Sequence, residues 1–421
     1  MSWSEEEHRT GQQALVLVLF ALVHLYYGWT ALTDPGVGFG DVGLYQYWAW
    51  QGLEDGRWPV LDEPWVYPAL ALVPVTLAGL VSTVDWEPYL TAWMVLVSAG
   101  NACATALLAR RSWIAAVWWM CFLALLGPVA FGRVDAVAVP FAVCGLLLAL
   151  ERPRLAAMLL TLGAWVKVAP GALVLPLFAV VRERWRDVVV PAAAACAAVV
   201  GLVAAGGGLG NVASFVGAQG ARGLQMESVT ATPWVLSWVH GGPGRVRYDE
   251  ELITWEVEGP GVATAAAVLD GLLPLLVLVL ALLLWRARHT VVEALTWGSL
   301  AVTLCLLVTN KVGSPQFVSW LAAPVAAGLL AWVRGQDRGT GWLDRWGWPL
   351  VAALTLLIAA LTHRLIPLGY FELVGGERPV AWVLAVRNAL EVGLFVLATW
   401  RLATARRAPA RPEPARSQTG G

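Results

Sequence analysis

Charge is what this chain has least of. Only 14% of its 421 residues are Asp, Glu, Lys or Arg, 58% are hydrophobic, and mean hydropathy is +0.66. Those values exclude an ordinary soluble domain and fit a polytopic membrane protein. The net charge is -1, so whole-chain electrostatics says nothing about nucleic acid; no nucleic-acid partner is expected of such a membrane protein. Cysteine is scarce as well. Cys103, Cys121, Cys144, Cys196 and Cys305 all fall inside apolar runs with no CxxC spacing, and they read as small core residues rather than metal ligands or disulfides. There is no HExxH, no P-loop, no GxSxG and no zinc-ligand spacing. Gly206–Gly208 alone reads as a helix end. The N-terminus lacks a basic region and a small-residue cleavage site, so Leu15–Leu32 is expected to stay as a first span. No internal repeat is visible.

What remains is a series of apolar runs, most long enough to cross about 30 Å of hydrocarbon. They cover Ala14–Thr33, Ala69–Thr83, Tyr89–Ala109, Trp113–Phe131, Ala136–Leu150, Leu155–Val181 and Val188–Ala205. After a long polar loop come Gly261–Leu284, Val291–Thr309, Val318–Val333, Pro349–Ile366 and Val380–Trp400. Many of the 25 Trp residues lie near the ends of these runs, where indoles favour the membrane–water interface. The chain therefore predicts an all-α polytopic membrane protein of about 11–13 transmembrane segments. Residues 1–401 form one membrane domain with outer loops at about 34–68 and 206–260. A disordered basic cytoplasmic tail follows at 402–421.

Basic clusters at Arg110/Arg111, Arg152/Arg154, Arg182–Arg186, Arg286/Arg288 and Arg334/Arg338 are expected on the cytoplasmic side. The alternation then works if Leu155–Val181 is a broken pair of short helices turning back near Lys167–Pro170. Ala69–Thr83, with Pro74, must also dip in and return; the alternative is that it crosses. Broken membrane helices are tolerated where they line a cavity.

On this topology four polar places meet on the outer face. Asp41, in the loop from Phe39 to Pro68, is a candidate base for a sugar hydroxyl or an ordinary N-cap for a helix over Leu44–Gln51. Arg133 and Asp135 are two residues apart and do not face each other on a helix, so each needs its own partner, either a neighbouring helix or a ligand. Lys167 sits inside a long apolar run, where a lysine needs an anion or a route to water; it is a phosphate ligand or it snorkels. Asn310-Lys311-Val312-Gly313-Ser314-Pro315-Gln316 offers a cation, two amides and a hydroxyl before a helix, a favourable anion position, or else a plain Gly-Ser-Pro turn. Arg222, Glu227, His240, Arg245, Arg247, Asp249, Glu250 and Glu251 in the second loop are candidate acceptor contacts without recognisable spacing.

Taken in order, GDVGLYQYWAWQGLEDGRWPVLDEPWVYPAL, GRVDAVAVPF, WVKVAPGALVLP and NKVGSPQFVSW resemble segments of the GT-C glycosyltransferases. The type is the polyprenol-phosphate-mannose-dependent mannosyltransferase (GT87, DUF2029-like). The chain is also similar to the transferase that adds the first mannose of GPI anchors. The resemblance implies a GT-C-type bundle and Asp41 as catalytic base. It implies Lys311, Lys167 and Arg133 near the donor phosphate, and Tyr45, Asp135, Asn310, Ser314 and Gln316 as donor or acceptor contacts. Gly43 stands where the GPI-type enzymes carry a second acid, so no metal is expected on this loop. No cofactor is called for, and a divalent metal is left open. Phe317 replaces a usual Tyr.

The function so implied is transfer of a sugar, mannose on the resemblance, from a polyprenyl-monophosphate donor to a lipid-linked or glycan acceptor. It takes place on the extracytoplasmic side of a bacterial plasma membrane, with membrane lipid as the surroundings. Two other readings stay open here: another polyprenyl-phosphate sugar such as arabinofuranose, and a transporter or flippase without chemistry. The absence of a repeat and the clustering of polar residues toward one face favour the enzyme.

Overall fold

The computed structural model describes residues 5–34, 36–220, 223–250, 254–336 and 341–405. Arg222, Glu251 and residues 406–421 of the expected tail lie outside them. Helix α1 (Glu5–Thr33) is the first long apolar helix. The next element corrects the expected loop at 34–68, because its first part is a helix, α2 (Gly36–Leu53). Its five glycines make this stretch read as irregular. Tertiary packing overrides that preference: Phe39, Val42, Tyr45 and Ala49 lie on one buried face at helical spacing. The glycines allow close approach. A Cβ on Gly38 would stand 2.4 Å from Pro128 Cβ, and one on Gly52 would stand 2.3 Å from the Trp58 ring. Asp41 therefore lies within the helix, not at its N-cap.

A turn at residues 54–68 leads into α3 (Leu72–Gly79). Eight residues span roughly 12 Å, too little to cross a bilayer. The chain then returns to the end it left: Thr83 Oγ1 donates to Glu54 Oε1 at 2.9 Å. Ala69–Thr83 thus dips and returns. Helices α4 (Trp86–Ala109) and α5 (Trp113–Leu126) follow, the second capped by Ser112.

Helices α6 (Asp135–Leu148) and α7 (Pro153–Val166) lead to a break. Lys167 is extended, with φ -152° and ψ 132°, and Pro170 lacks the N–H that would continue the helix. Two short pieces follow, α8 (Ala169–Ala172) and α9 (Val174–Val180). Arg154, at the start of α7, meets Asp187, beyond α9, at 2.8 Å. The segment from α7 to α9 therefore goes in and comes back, with Lys167 near its tip. Arg111 pairs with Glu151, which brings a third basic cluster to the same end of the bundle.

After α10 (Val190–Ala205) the second polar loop holds α11 (Ser214–Gly220), α12 (Thr232–Val239) and an antiparallel hairpin of β1 (Arg245–Asp249) and β2 (Thr254–Glu258). Leu224, Met226, Val235 and Val257 of this loop bury against Leu269, Leu365 and Leu384 of later helices. Those helices are α13 (Val262–Ala287), α14 (Val291–Val308), α15 (Ala322–Val333), α16 (Trp342–Leu365) and, after the short α17 (Tyr370–Val374), α18 (Arg378–Thr404).

Among the described residues nine helices are long and apolar enough to cross a membrane, and four shorter apolar ones accompany them. The chain is an all-α polytopic membrane protein; the expected 11–13 segments counted short and long pieces together. The segment Pro315–Val333 is 89% buried and forms the centre, whereas α13 is 17% buried and faces outward.

Candidate active site

The four polar places converge at one end of the bundle. Asp41 on α2 pairs with Arg133, in the turn that opens α6. The contact is possible because the backbones nearly touch: a Cβ on Gly132 would stand 2.5 Å from the Gly38 carbonyl oxygen. The backbone N–H of Val134 donates to Tyr45 Oη at 3.0 Å. Arg133 and Asp135 thus turn to different neighbours, as their spacing requires.

Asp135 is buried beside α7 and α15. One carboxylate oxygen accepts from Trp320 Nε1 at 2.6 Å, and the other lies 3.8 Å from Lys167 Nζ. The Lys167 ammonium also stands 4.7 Å from the centre of the Tyr67 ring and 5.6 Å from that of Phe317, a cation–π arrangement. Tyr67 belongs to an aromatic wall with Tyr45, Trp48 and Trp65, whose ring centroids are 5.2–6.2 Å apart.

Lys311 Nζ lies 2.9 Å from Asp270 Oδ1 on α13. The turn around it is held locally. Asn310 Oδ1 accepts from the Val312 N–H at 2.9 Å, and the Gln225 N–H donates to the Lys311 carbonyl at 2.9 Å. Gly313 packs so close to Glu227-Ser228 that a Cβ would stand 2.1 Å from the Ser228 nitrogen. Ser314 precedes the turn Pro315–Leu321 without capping it through its side chain. Gln316 is buried, and its carbonyl accepts from Ser319 Oγ at 2.6 Å.

Lys167, Lys311, Asn310, Asp270, Thr309 and Tyr67 open onto one cavity of about 340 Å³, whose other walls are apolar or aromatic, among them Phe215, Leu269, Leu273, Leu306, Phe317 and Trp320. Asp41, Arg133, Tyr45, Asp135, Ser314 and Gln316 do not line it. Asp41 and Arg133 lie near Tyr45, and their charges act on it; that of Asp41 also acts on Tyr67. Burial pushes the Tyr45 hydroxyl well above its ordinary pKa, with the neighbouring Tyr67 and the Asp41 charge adding to the rise. Tyr67 is likewise raised by burial, against the pull of Lys167. Burial opposes the Arg133 charge, but Asp41 and the two tyrosines outweigh it, and the guanidinium is held charged.

Of the second-loop candidates among the described residues, only Glu227 is brought close. It is buried, and its pKa is pushed up to about 7 by desolvation. Its carbonyl accepts from Arg387 Nη2 on α18 at 2.5 Å, and Arg387 faces Glu391 at 3.8 Å. Arg245 donates to the Gly242 and Gly244 carbonyls, Arg247 pairs with Glu258, and His240 bonds its own helix at Leu236. Among the described residues no group of three or more His, Cys, Asp or Glu could hold a metal ion. Sequence reasoning passed over Asp270, Tyr67, Trp320 and Arg387. Asp270 and Arg387 had a signal, being ionisable residues inside apolar spans.

Residues 65–309, more than half of the chain, match the family model of glycosyltransferase family 87. No curated protein and no solved structure matches the chain.

Proposed function

The chain belongs to glycosyltransferase family 87, a membrane glycosyltransferase, and from that membership we propose that it transfers mannose from a polyprenyl-monophosphate donor. The acceptor is a lipid-linked sugar or glycan, and the site faces the extracytoplasmic side. The observation that carries this reading is the cavity itself. Lys167 and Lys311 present two ammonium groups against walls of Phe215, Leu269, Leu273 and Leu306. Cations beside an apolar wall suit a phosphate joined to a lipid; the cations would serve the diphosphate of a nucleotide sugar too, and it is the apolar wall that favours the lipid-linked donor.

In the reaction so proposed, the acceptor hydroxyl gives its proton to the Asp41 carboxylate. Its oxygen bonds to the anomeric carbon as the bond from that carbon to the phosphate oxygen breaks. The configuration inverts, and polyprenyl phosphate leaves with the bonding electrons. Lys311 and Lys167 offset the charge that grows on the leaving phosphate, the main electrostatic task in such a step. The site holds both substrates in line. Asp41 is paired with Arg133 here, so it accepts a proton only once Arg133 has let it go. Tyr45 holds the start of α6 through Val134, and Asp135 holds Lys167 in place. Asn310, Ser314 and Gln316 shape the Lys311 turn beside the acceptor.

The test is sugar transfer in membranes from labelled polyprenyl-phosphomannose, comparing the natural protein with Lys311→Gln at matched abundance. A rise in the donor KM of tenfold or more is expected. Lipid transport without any glycosylated product would overturn the enzyme reading.

A further inference from the structure

The charges around the cavity are paired: Lys167 with Asp135, Lys311 with Asp270, and, near Tyr45, Arg133 with Asp41. A polyprenyl phosphosugar carries one negative charge on its phosphodiester. To bind it, a cation must let go of its carboxylate. The three carboxylates differ in what release costs. Asp135 is 1% exposed, and unpairing it would leave a buried charge. The Asp41 side chain is 32% exposed. The Asp270 side chain is 61% exposed, so its release strands no charge inside the packed bundle.

Asp270 is also out of keeping with its helix. It is the only ionisable residue between Val262 and Leu284, on the span that buries least of itself in the bundle. An acid there is costly without a role. Its neighbours Leu269 and Leu273 line the cavity together with Leu306 of α14, so the Asp270–Lys311 contact is part of the cavity wall where α13 meets the turn after α14.

We propose that Asp270 is the entry gate of the donor site. Its carboxylate occupies, on Lys311, the place taken by the phosphodiester of the donor. Exchange of one anion for the other admits the lipid from the outer face of α13. The reverse exchange expels the polyprenyl phosphate product, whose phosphomonoester carries more charge than the donor and so needs a competitor more. The proposal rests on reading this cavity as the polyprenyl-phosphate site.

The test is the affinity of decaprenyl phosphate for the purified full-length protein in phosphatidylcholine nanodiscs. Removing an exposed competing carboxylate should tighten binding by about fivefold in both Asp270→Asn and Asp270→Ser. Asp270→Glu should bind as the natural protein does. Lys311→Gln should weaken binding, and Asp270→Asn added to Lys311→Gln should give no gain, since the gate acts only through that lysine. Unchanged or weaker binding in both neutral Asp270 variants, with Lys311→Gln still weakened, overturns the gate. A gain that persists without Lys311 overturns it too, as a general charge effect. Unchanged binding in Lys311→Gln instead overturns the phosphate-site reading beneath it.

Discussion

Asp41 and Arg133 form their ion pair because two glycines, Gly38 and Gly132, let the start of α2 rest on the turn before α6. The placement of Asp41 is therefore a property of backbone contact, not of a flexible loop. A Cβ on Gly38 would stand 2.4 Å from Pro128 Cβ, while one on Gly40 would meet nothing within 4 Å. Gly38→Ala should push α2 away and lower transfer activity by roughly 10–100-fold, the usual cost of about 1 Å of misplacement. Gly40→Ala should keep activity and raise stability by about 0.5–1 kcal/mol, since Ala is the better helix former. Activity in membranes and thermal melting of the purified protein check both; equal effects of the two substitutions would contradict the account.

Asp135 holds two partners, the Lys167 ammonium and the Trp320 indole N–H. Asp135→Leu leaves a largely buried lysine without its carboxylate, which should cost about 3–5 kcal/mol of stability. Adding Lys167→Met should restore most of that loss, because a neutral apolar pair replaces a broken ionic one. Melting temperatures of the two single variants and the double variant in detergent read this directly. A double variant no more stable than Asp135→Leu would mean the pair is not coupled.

Gly313 is the contact between the Lys311 turn and the second loop, where a Cβ would stand 2.1 Å from Ser228 N and 2.2 Å from Glu227 C. Both are backbone atoms and cannot swing aside. Gly313→Ala should shift the turn that carries Lys311 and raise the donor KM by about tenfold or more. An unchanged donor KM would show that the turn and the loop move independently.

Glu227 supplies a pH dependence. Its folded pKa, about 7, lies above the ordinary carboxylate value because burial disfavours the charge. The folded state therefore binds the proton more tightly than the unfolded chain, and stability falls as pH rises from about 4.5 to about 7. Above that window the loss is constant, on the order of 3 kcal/mol. Glu227→Gln cannot ionise, so it should match the natural protein at low pH and exceed it above pH ~7. Melting curves of both proteins from acid to neutral pH check the sign; parallel curves would contradict it.

Lys167, Asn310 and Lys311 were legible in the sequence as residues of one place, whereas the other six expected residues do not line the cavity. Arg133 and Asp135 could not pair with each other at a spacing of two, and Pro170 marked the break that puts Lys167 at a tip. The helix around Asp41 was not legible. Gly36, Gly38, Gly40 and Gly43 signal irregular backbone by local preference, and only for Gly38 does contact with Pro128 and Gly132 explain the choice. The path of Ala69–Thr83 was undecidable from hydropathy, since a dipping segment and a crossing one are equally apolar; the Thr83–Glu54 bond decides it. Asp270 was readable in principle as a lone acid in an apolar span. Its partner was not, because Lys311 lies a whole helix further along the chain.

The central claim is that Asp41 takes the acceptor proton. The most direct measurement is transfer from labelled polyprenyl-phosphomannose by Asp41→Asn, at membrane abundance matched to the natural protein. Asn keeps the size and can still meet Arg133, but it cannot accept the proton. The account predicts a fall of about 10²–10⁴-fold in the turnover rate with the donor KM little changed. Activity within about twofold of the natural protein, well short of that fall, would contradict it.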